Sequence, residues 1–589
     1  NCLAQIYTEI NEEEKAVSYH KASSMLPDNP GALISYSNYL FYMHYCEYVQ
    51  TEFVEAAKLY NSAFAHVAQY QHRHHKQHKK IRIGYLSADF HASVTAVFCY
   101  PFFKAYDRRN FEVYVYAKGE VDNISRDLAQ YVDVWRNVDN LDSERTAAVV
   151  YADGVDILFD PSGHNKNNCL PVFAYKPAPV QISGLGYVDT TGLAAMDYFL
   201  TDEYVDPPGV NDRYFVEKLL RLPHSHFCYT YLSKPFTKEL APCLRKGYIT
   251  LGTLNKFAKV TDKMLKLWSE ILRKVPDACL YLKGSAFDHQ LSRSVACKRL
   301  QAAGIDLKRV TLSGFDGHYM QAYNEIDIAL DTYPYPGGTT TCDALYAGVP
   351  VVTLVGESHN QRFGYGLLKN MQMDECIAYN AAEYVDICVS LAKNKERLAG
   401  LRQFIARRWR MSPMMNMGIY MADVESAYRK VLGYKDAKLT EEDIIYWLEQ
   451  GEIGAQRLCY MIRQELEEAV GTWRVRLLCY LADAARQARD VQLAYQSFGE
   501  AVKLWKELSE KEKNTFHPGW YSNMQAGLGK TALELGCYET AISAYTEQAR
   551  MANSDKEKLL ALSSVILARH FIEEGTEKLT EGVYYGISD

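Results

Sequence analysis

The stretch PYPGGTTTCDALYAGVPVVTL, Pro334 to Leu354, decides how this chain is read. It joins a glycine-rich turn and three consecutive threonines to a helical pattern opening near Cys342 and Asp343. Gly337 and Gly338 let the backbone approach a ligand closely, and Thr339, Thr340 and Thr341 bring hydroxyl donors. A helix start aims unpaired N–H groups and the positive end of its dipole at the same point, so the pattern predicts a phosphate site. Asp343 falls just inside the helix, where a carboxylate could accept from ribose hydroxyls. Upstream, EIDIALDTYPYP reads as a buried strand running into a loop, which puts the site at the carboxyl end of a strand, where open α/β sheets bind ligands. An ordinary strand-turn-helix corner capped by threonine is the alternative.

Working outward, two sets of short apolar strands alternate with helix-length segments. IRIGYLSAD, FEVYVYAKG, VDILFD, PVQISGLGY and MDYFLTD form the first, from Ile81; YITLGTL, ACLYLKG, VTLSGF, IDIALD and VPVVTLVG form the second, from Tyr248. The alternation predicts two successive doubly wound parallel units. Helical segments flank them. Residues 14–30 carry small and aromatic residues at helical spacing before a Pro-Asp-Asn-Pro stop, like the second helix of a tetratricopeptide repeat, and Gly529, Gly536, Tyr538, Ala541 and Tyr545 recur near tetratricopeptide positions. The divisions expected are a helical region and linker at 1–80, a first α/β half at 81–232, a second at 233–434 and a helical domain at 435–589. The run QHRHHKQHKK offers His72, His74, His75 and His78, but neither carboxylate nor cysteine joins them in sequence, so it reads as a solvated linker.

Composition sets bounds. A chain of 589 residues needs several cores. With 48 % hydrophobic and 23 % charged residues it falls in the ordinary globular range. The net charge of -7 gives no global pull toward nucleic acid or an anionic membrane. The 14 cysteines include no CxxC pair and sit in apolar segments, which favours reduced thiols and a cytosolic setting. No apolar run approaches the roughly 18 residues that span a bilayer. The chain opens at Asn1 inside a helical pattern, as a truncated or processed chain would.

Seven blocks occur in the order of one family. They are SNYLFYMHY (Ser37), IRIGYLSADFH (Ile81), DGVDILFDPSGH (Asp153), KPAPVQISGLGYVDTTGLAAMDYFLTD (Lys176), LNKFAKVTDKMLKLWSEILRKVPDACLYLK (Leu254), the threonine block and GESHNQR (Gly356). Over residues 14–432 the chain resembles the O-GlcNAc transferase family, inverting glycosyltransferases that include SPINDLY-like protein O-fucosyltransferases and many bacterial members. The resemblance implies a double-Rossmann (GT-B) glycosyltransferase core flanked by all-α, tetratricopeptide-like segments, with MGIYMADVESAYRKVL as closing helix. It implies transfer of GlcNAc from UDP-GlcNAc to serine or threonine hydroxyls of a protein, in the cytoplasm. The GGTTTC form is similar to bacterial members, so a surface or flagellar protein is the acceptor class implied.

Site roles follow from the same resemblance. Lys259 matches the diphosphate-binding lysine, and Lys256 a glutamine near the phosphates. With Lys259, the helix dipole and no DxD-like acidic pair at a strand end in this half, catalysis is expected to need no metal or other cofactor. His318 and Tyr319 fall where the nucleotide base is read, with Tyr319 under the base; an aromatic ring stacks on any base, which leaves uridine and guanosine both open. On the acceptor side, GYVDTTG (Gly186–Gly192) resembles a family turn with Val188 and Asp189 replacing proline and glycine or asparagine. Asp189 either orients or deprotonates an acceptor, or caps the turn. Tyr187, Thr190 and Gln181 surround it. The family's usual histidine, a base or acceptor-positioning group, is replaced by Ser93; either His91, two residues earlier, reaches the same cleft from a shifted loop as the catalytic candidate or the enzyme does without the histidine, and His164, in PSGH, is a further cleft candidate. GDP-fucose as donor and a non-catalytic nucleotide-sugar-binding adaptor are the rival readings, and the helical regions are expected to bind a protein partner or a second copy.

Overall fold

A computed structural model describes residues 2–26, 29–73, 75, 78–231, 236, 238–435 and 438–573. His74, the Pro27-Asp28 part of the stop signal, the boundary at 232/233 and the end of the tail lie outside these residues. The chain divides into two compact units: Asn1–Asn416 with Asp423–Tyr434, and Met417–Ala422 with the chain from Lys435 onward.

The first unit holds two parallel sheets. β1 (Ile81–Ser87), β2 (Phe111–Ala117), β3 (Val134–Asn137), β4 (Ile157–Asp160), β5 (Val180–Gly184), β6 (Tyr198–Asp202) and β7 (Lys218–Leu222) make the first, in the order β3-β2-β1-β4-β5-β6-β7. β8 (Thr250–Thr253), β9 (Cys279–Lys283), β10 (Val310–Ser313), β11 (Ile328–Leu330), β12 (Val351–Leu354) and β13 (Ile377–Ala378) make the second, ordered β10-β9-β8-β11-β12-β13. Each order reverses beside its first strand, at β1/β4 and β8/β11, and the loops at those reversals are where such sheets bind ligands.

Local chemistry explains the connecting helices. Ser93 accepts from Ala96 N–H and opens helix Val94–Lys104, and Thr261 accepts from Met264 N–H and opens helix Asp262–Lys274. In the latter, Met264, Leu265, Trp268, Ile271 and Leu272 are buried on one face, at the spacing of a helix that covers a sheet. Helices Ala32–Met43 and Gln50–Tyr60 share a core with the first sheet: Leu40, Phe53, Ala57 and Tyr60 cluster with Leu86, Tyr116 and Leu158. The segment Asp423–Tyr434 returns to the first half, where Glu425 accepts from Asp107 N–H at 2.7 Å and the hydroxyls of Tyr428 and Tyr85 lie 3.3 Å apart.

The histidine-rich run is not simply solvated. His72 Nε2 donates to Lys176 O at 2.8 Å and His75 Nε2 meets Asp156 Oδ1 at 2.7 Å, so a carboxylate from the strand region does join the run. Among the described residues no group of three His, Cys, Asp or Glu side chains could hold a metal ion, and no helix is long and apolar enough to cross a membrane.

The second unit is helical, from Glu441–Glu449 to Asp555–Glu573. The Tyr545 ring lies against Gly529, where a side chain would meet it, and Ala541 is buried. Small residues under aromatic rings are how such helical pairs close together.

Candidate functional site

The second half supplies a loop built for an anion. After β11, buried Asp331 accepts from Gly337 N–H (2.8 Å), Thr332 N–H (3.0 Å) and Thr353 Oγ1 (2.8 Å), and so folds the Thr332–Gly338 loop back on itself. Burial pushes its carboxyl up to about 6, against the pull of those hydrogen bonds. A Cβ on Gly337 would strike the hydroxyls of Thr340 and Thr341, whereas one on Gly338 would meet open space. The helix runs Thr339–Tyr346 with Gly338 at its N-cap, so it begins at the first threonine and not near Cys342 as the sequence suggests. The threonines form its first turn: Thr340 Oγ1 donates to Asn255 Oδ1 at 2.7 Å, and Thr339 Oγ1 is buried without a partner.

Lys259 ends a 3₁₀ turn, Phe257–Lys259, that follows β8. Its Nζ donates to Pro336 O at 3.0 Å and sits 3.6 Å from the centroid of the Tyr335 ring. The side chain is half-buried. Burial, then the like charge of Lys256, lower its pKa to about 7, opposed by Asp331. Lys256 is exposed on the same turn. A partly desolvated cation beside a glycine loop and a helix N-terminus is poised to exchange its carbonyl for a phosphate oxygen.

Asp343 differs from expectation. It is buried, and its carboxylate accepts from the Tyr229 hydroxyl; burial raises it to about 7. Ribose would therefore have to compete with tyrosine. Near it, Tyr319 stacks on Phe315, with centroids 5.9 Å apart and planes at 22°, and Phe315 is 60 % exposed. His318 is exposed, and its backbone N–H donates to Asp316 at 2.8 Å. The two rings make a platform suited to a planar base.

Most acceptor-side residues turn out to be internal. His164 is buried: Nε2 donates to Thr191 O at 2.9 Å, Nδ1 lies 2.7 Å from Ser37 Oγ, and burial lowers its pKa to about 4. Tyr187 is buried with its hydroxyl 3.4 Å from His44 Nε2, and its ring fills the space above Gly163. Asp189 accepts from Gln50 Nε2 (2.9 Å) and Thr190 N–H (2.8 Å) and is raised to about 7 by burial. Thr190 donates to buried Glu217 at 2.6 Å, and Gln181 donates to Phe173 O (3.0 Å) and Ala195 O (2.9 Å). All five side chains are buried: His164, Tyr187 and Asp189 meet Ser37, His44 and Gln50 of the N-terminal segment, while Thr190 and Gln181 bond within the first half, and the Asp189 contact to Thr190 N–H is the turn-capping alternative. Ser93 is a helix cap. His91, after β1, stays partly exposed with no side-chain hydrogen bond among the described residues. Beside it Asp89 accepts from Ser162 Oγ at 2.7 Å and Thr95 Oγ1 at 3.3 Å.

Sequence reasoning missed Asp331, Asn255, Tyr335 and Asp89. Asp331 and Tyr335 lie in or beside the decisive stretch, and Asn255 in the lysine block; the pairings Asn255–Thr340 and Lys259–Tyr335 join positions 85 and 76 apart, beyond any local pattern.

Comparison with known proteins fits this geometry. The model of glycosyl transferase family 41 matches residues 56–234 and 241–424, both sheet regions but not the helical tail. An Arabidopsis thaliana protein named probable UDP-N-acetylglucosamine–peptide N-acetylglucosaminyltransferase SPINDLY is 36 % identical over 361 residues, 60 % of this chain and 39 % of that protein. An Arabidopsis relative of the same printed activity, SEC, is 28 % identical over 60 % of this chain and 37 % of its own length. The chain thus spans about two fifths of the length of these curated relatives. A solved structure of a mutant O-GlcNAc transferase from Thermobaculum terrenum superposes with a TM-score of 0.66 at 30 % identity, covering 73 % of this chain and 82 % of that one. With both halves matched across the sheets that carry the anion loop, the chain belongs to glycosyl transferase family 41.

Proposed function

We propose that the protein is an inverting, metal-independent O-glycosyltransferase that moves GlcNAc from UDP-GlcNAc to serine or threonine hydroxyls of a polypeptide. The observation that carries this reading is the desolvated Lys259 ammonium beside the Gly337–Thr340 helix start. As the sugar–phosphate bond breaks, charge grows on the diphosphate, and groups aimed there favour the transition state over bound donor. A lysine and a helix N-terminus supply the positive charge that a metal ion provides elsewhere. The Phe315–Tyr319 platform receives the base. The acceptor oxygen attacks the anomeric carbon from the face opposite the diphosphate, and His91 takes its proton.

A second reading, GDP-fucose as donor, follows from the resemblance to SPINDLY-like O-fucosyltransferases, and the Phe315–Tyr319 stack can carry a guanine as well as a uracil. Incubation with radiolabelled UDP-GlcNAc or GDP-fucose and a protein lysate distinguishes them. Label on serine or threonine from UDP-GlcNAc supports the first; label only from GDP-fucose replaces it with the second.

A further inference from the structure

The Tyr335 ring has no part in the roles assigned so far, yet it holds a singular place. It is 8 % exposed, one face lies 3.6 Å from Lys259 Nζ, and Tyr45 packs edge-on against it, with centroids 5.0 Å apart and planes at 67°. Tyr45 follows helix Ala32–Met43 of the N-terminal segment and is itself buried. That segment also reaches the second half through Glu47–Lys263 (2.5 Å) and Ser292 Oγ donating to Glu9 O (2.8 Å). So the ring under the lysine is braced by helices that share their core with the first sheet.

We propose that Tyr335, braced by Tyr45, is a positioning residue that seats the Lys259 ammonium for a diphosphate. This deepens the reading above and rests on it only for the identity of the diphosphate. An ammonium partly withdrawn from water needs substitutes for part of its hydration shell. Here one carbonyl, Pro336 O, and one ring face supply them, and neither competes with a phosphate oxygen for strength. The two contacts fix the Nζ on the loop that carries Gly337, so little reorganisation remains when the anion arrives. Replacing the ring by an aliphatic group of similar bulk keeps the packing but removes the electrostatic seat.

The test is a double-mutant cycle on the full chain, read as affinity for UDP, GDP and inorganic pyrophosphate, with nucleoside monophosphates as contrast. Tyr335→Leu should weaken the diphosphates about tenfold, as expected for loss of a desolvated cation–π contact, and the monophosphates much less. Tyr335→Phe, which keeps the ring, should restore parental affinity. In a Lys259→Met background Tyr335→Leu should have no further effect. Tyr45→Ala should reproduce part of the loss, again only when Lys259 is present. Equal weakening by Tyr335→Leu in both backgrounds, or failure of Tyr335→Phe to rescue, overturns the proposal. Binding of GDP alone would replace UDP as the donor nucleotide without touching it. If Tyr335→Leu does not fold, Tyr335→Phe and Tyr45→Ala in the two backgrounds decide. A parent that binds none of the three diphosphates overturns the site and this role together.

Discussion

Ser37 Oγ and His164 Nδ1 lie 2.7 Å apart across 127 positions of chain, and they fasten the N-terminal helices to the loop after β4. The other imidazole nitrogen donates to Thr191 O, so the neutral ring uses both nitrogens and has none left for substrate. His164→Ala should therefore destabilise the fold by about 2–4 kcal/mol, through two lost hydrogen bonds and a cavity. The folded fraction should keep its donor KM. Denaturant unfolding and initial rates on the same preparation check this; intact stability with lost turnover would return His164 to the cleft.

The two glycines of the anion loop should behave differently. Gly337→Ala forces Cβ onto the Thr340 and Thr341 hydroxyls, so the loop must shift and the melting temperature should fall. Gly338→Ala meets no protein atom within 4 Å, so stability should hold while diphosphate affinity drops, because the added methyl occupies ligand space. Calorimetric melts with and without UDP separate the two.

Lys259 predicts a pH dependence with a definite sign. In the unfolded chain a lysine keeps its proton up to about 10.4. In the folded protein Lys259 releases it at about 7. Between those values the unfolded state binds more protons, so the lysine's contribution to stability rises with pH. Lys259→Met should accordingly stabilise the ligand-free protein most at pH near 6.5, with the advantage shrinking by pH near 9. A parent–variant difference in melting temperature that does not change across that window would contradict the desolvated lysine.

The helical tail has its own apolar cores, such as that of Ile444, Trp447, Leu458 and Leu481. If it recruits the acceptor, a chain ending at residue 434 should hydrolyse donor at nearly the parental rate while protein glycosylation collapses. Equal loss of both activities would assign the tail to the fold instead.

What the sequence made legible follows from where each residue's partners lie. Nine of the ten strands read from apolar runs lie in the sheet interiors, where both faces are covered, and the tenth, β10, is an edge. The three not foreseen, β3, β7 and β13, are sheet edges. VWRN and KLLRL are short runs broken by Arg136, Lys218 and Arg221, and β13 has two residues, so none of the three stands out as an apolar run. The anion loop was visible because glycine, threonine and helix start are adjacent in the chain. The acceptor side was not, since Gln50–Asp189 and Ser37–His164 depend on pairings more than a hundred positions apart. The burial of Asp189 and His164 leaves no mark in a short window of sequence.

The central claim is that Lys259 stabilises a diphosphate leaving group. The most direct measurement is single-turnover transfer from UDP-GlcNAc by Lys259→Ala, alongside its UDP affinity. The account predicts a rate lower by about two orders of magnitude or more, with a smaller loss in ground-state donor binding. A folded Lys259→Ala protein that transfers sugar at the parental rate would contradict it.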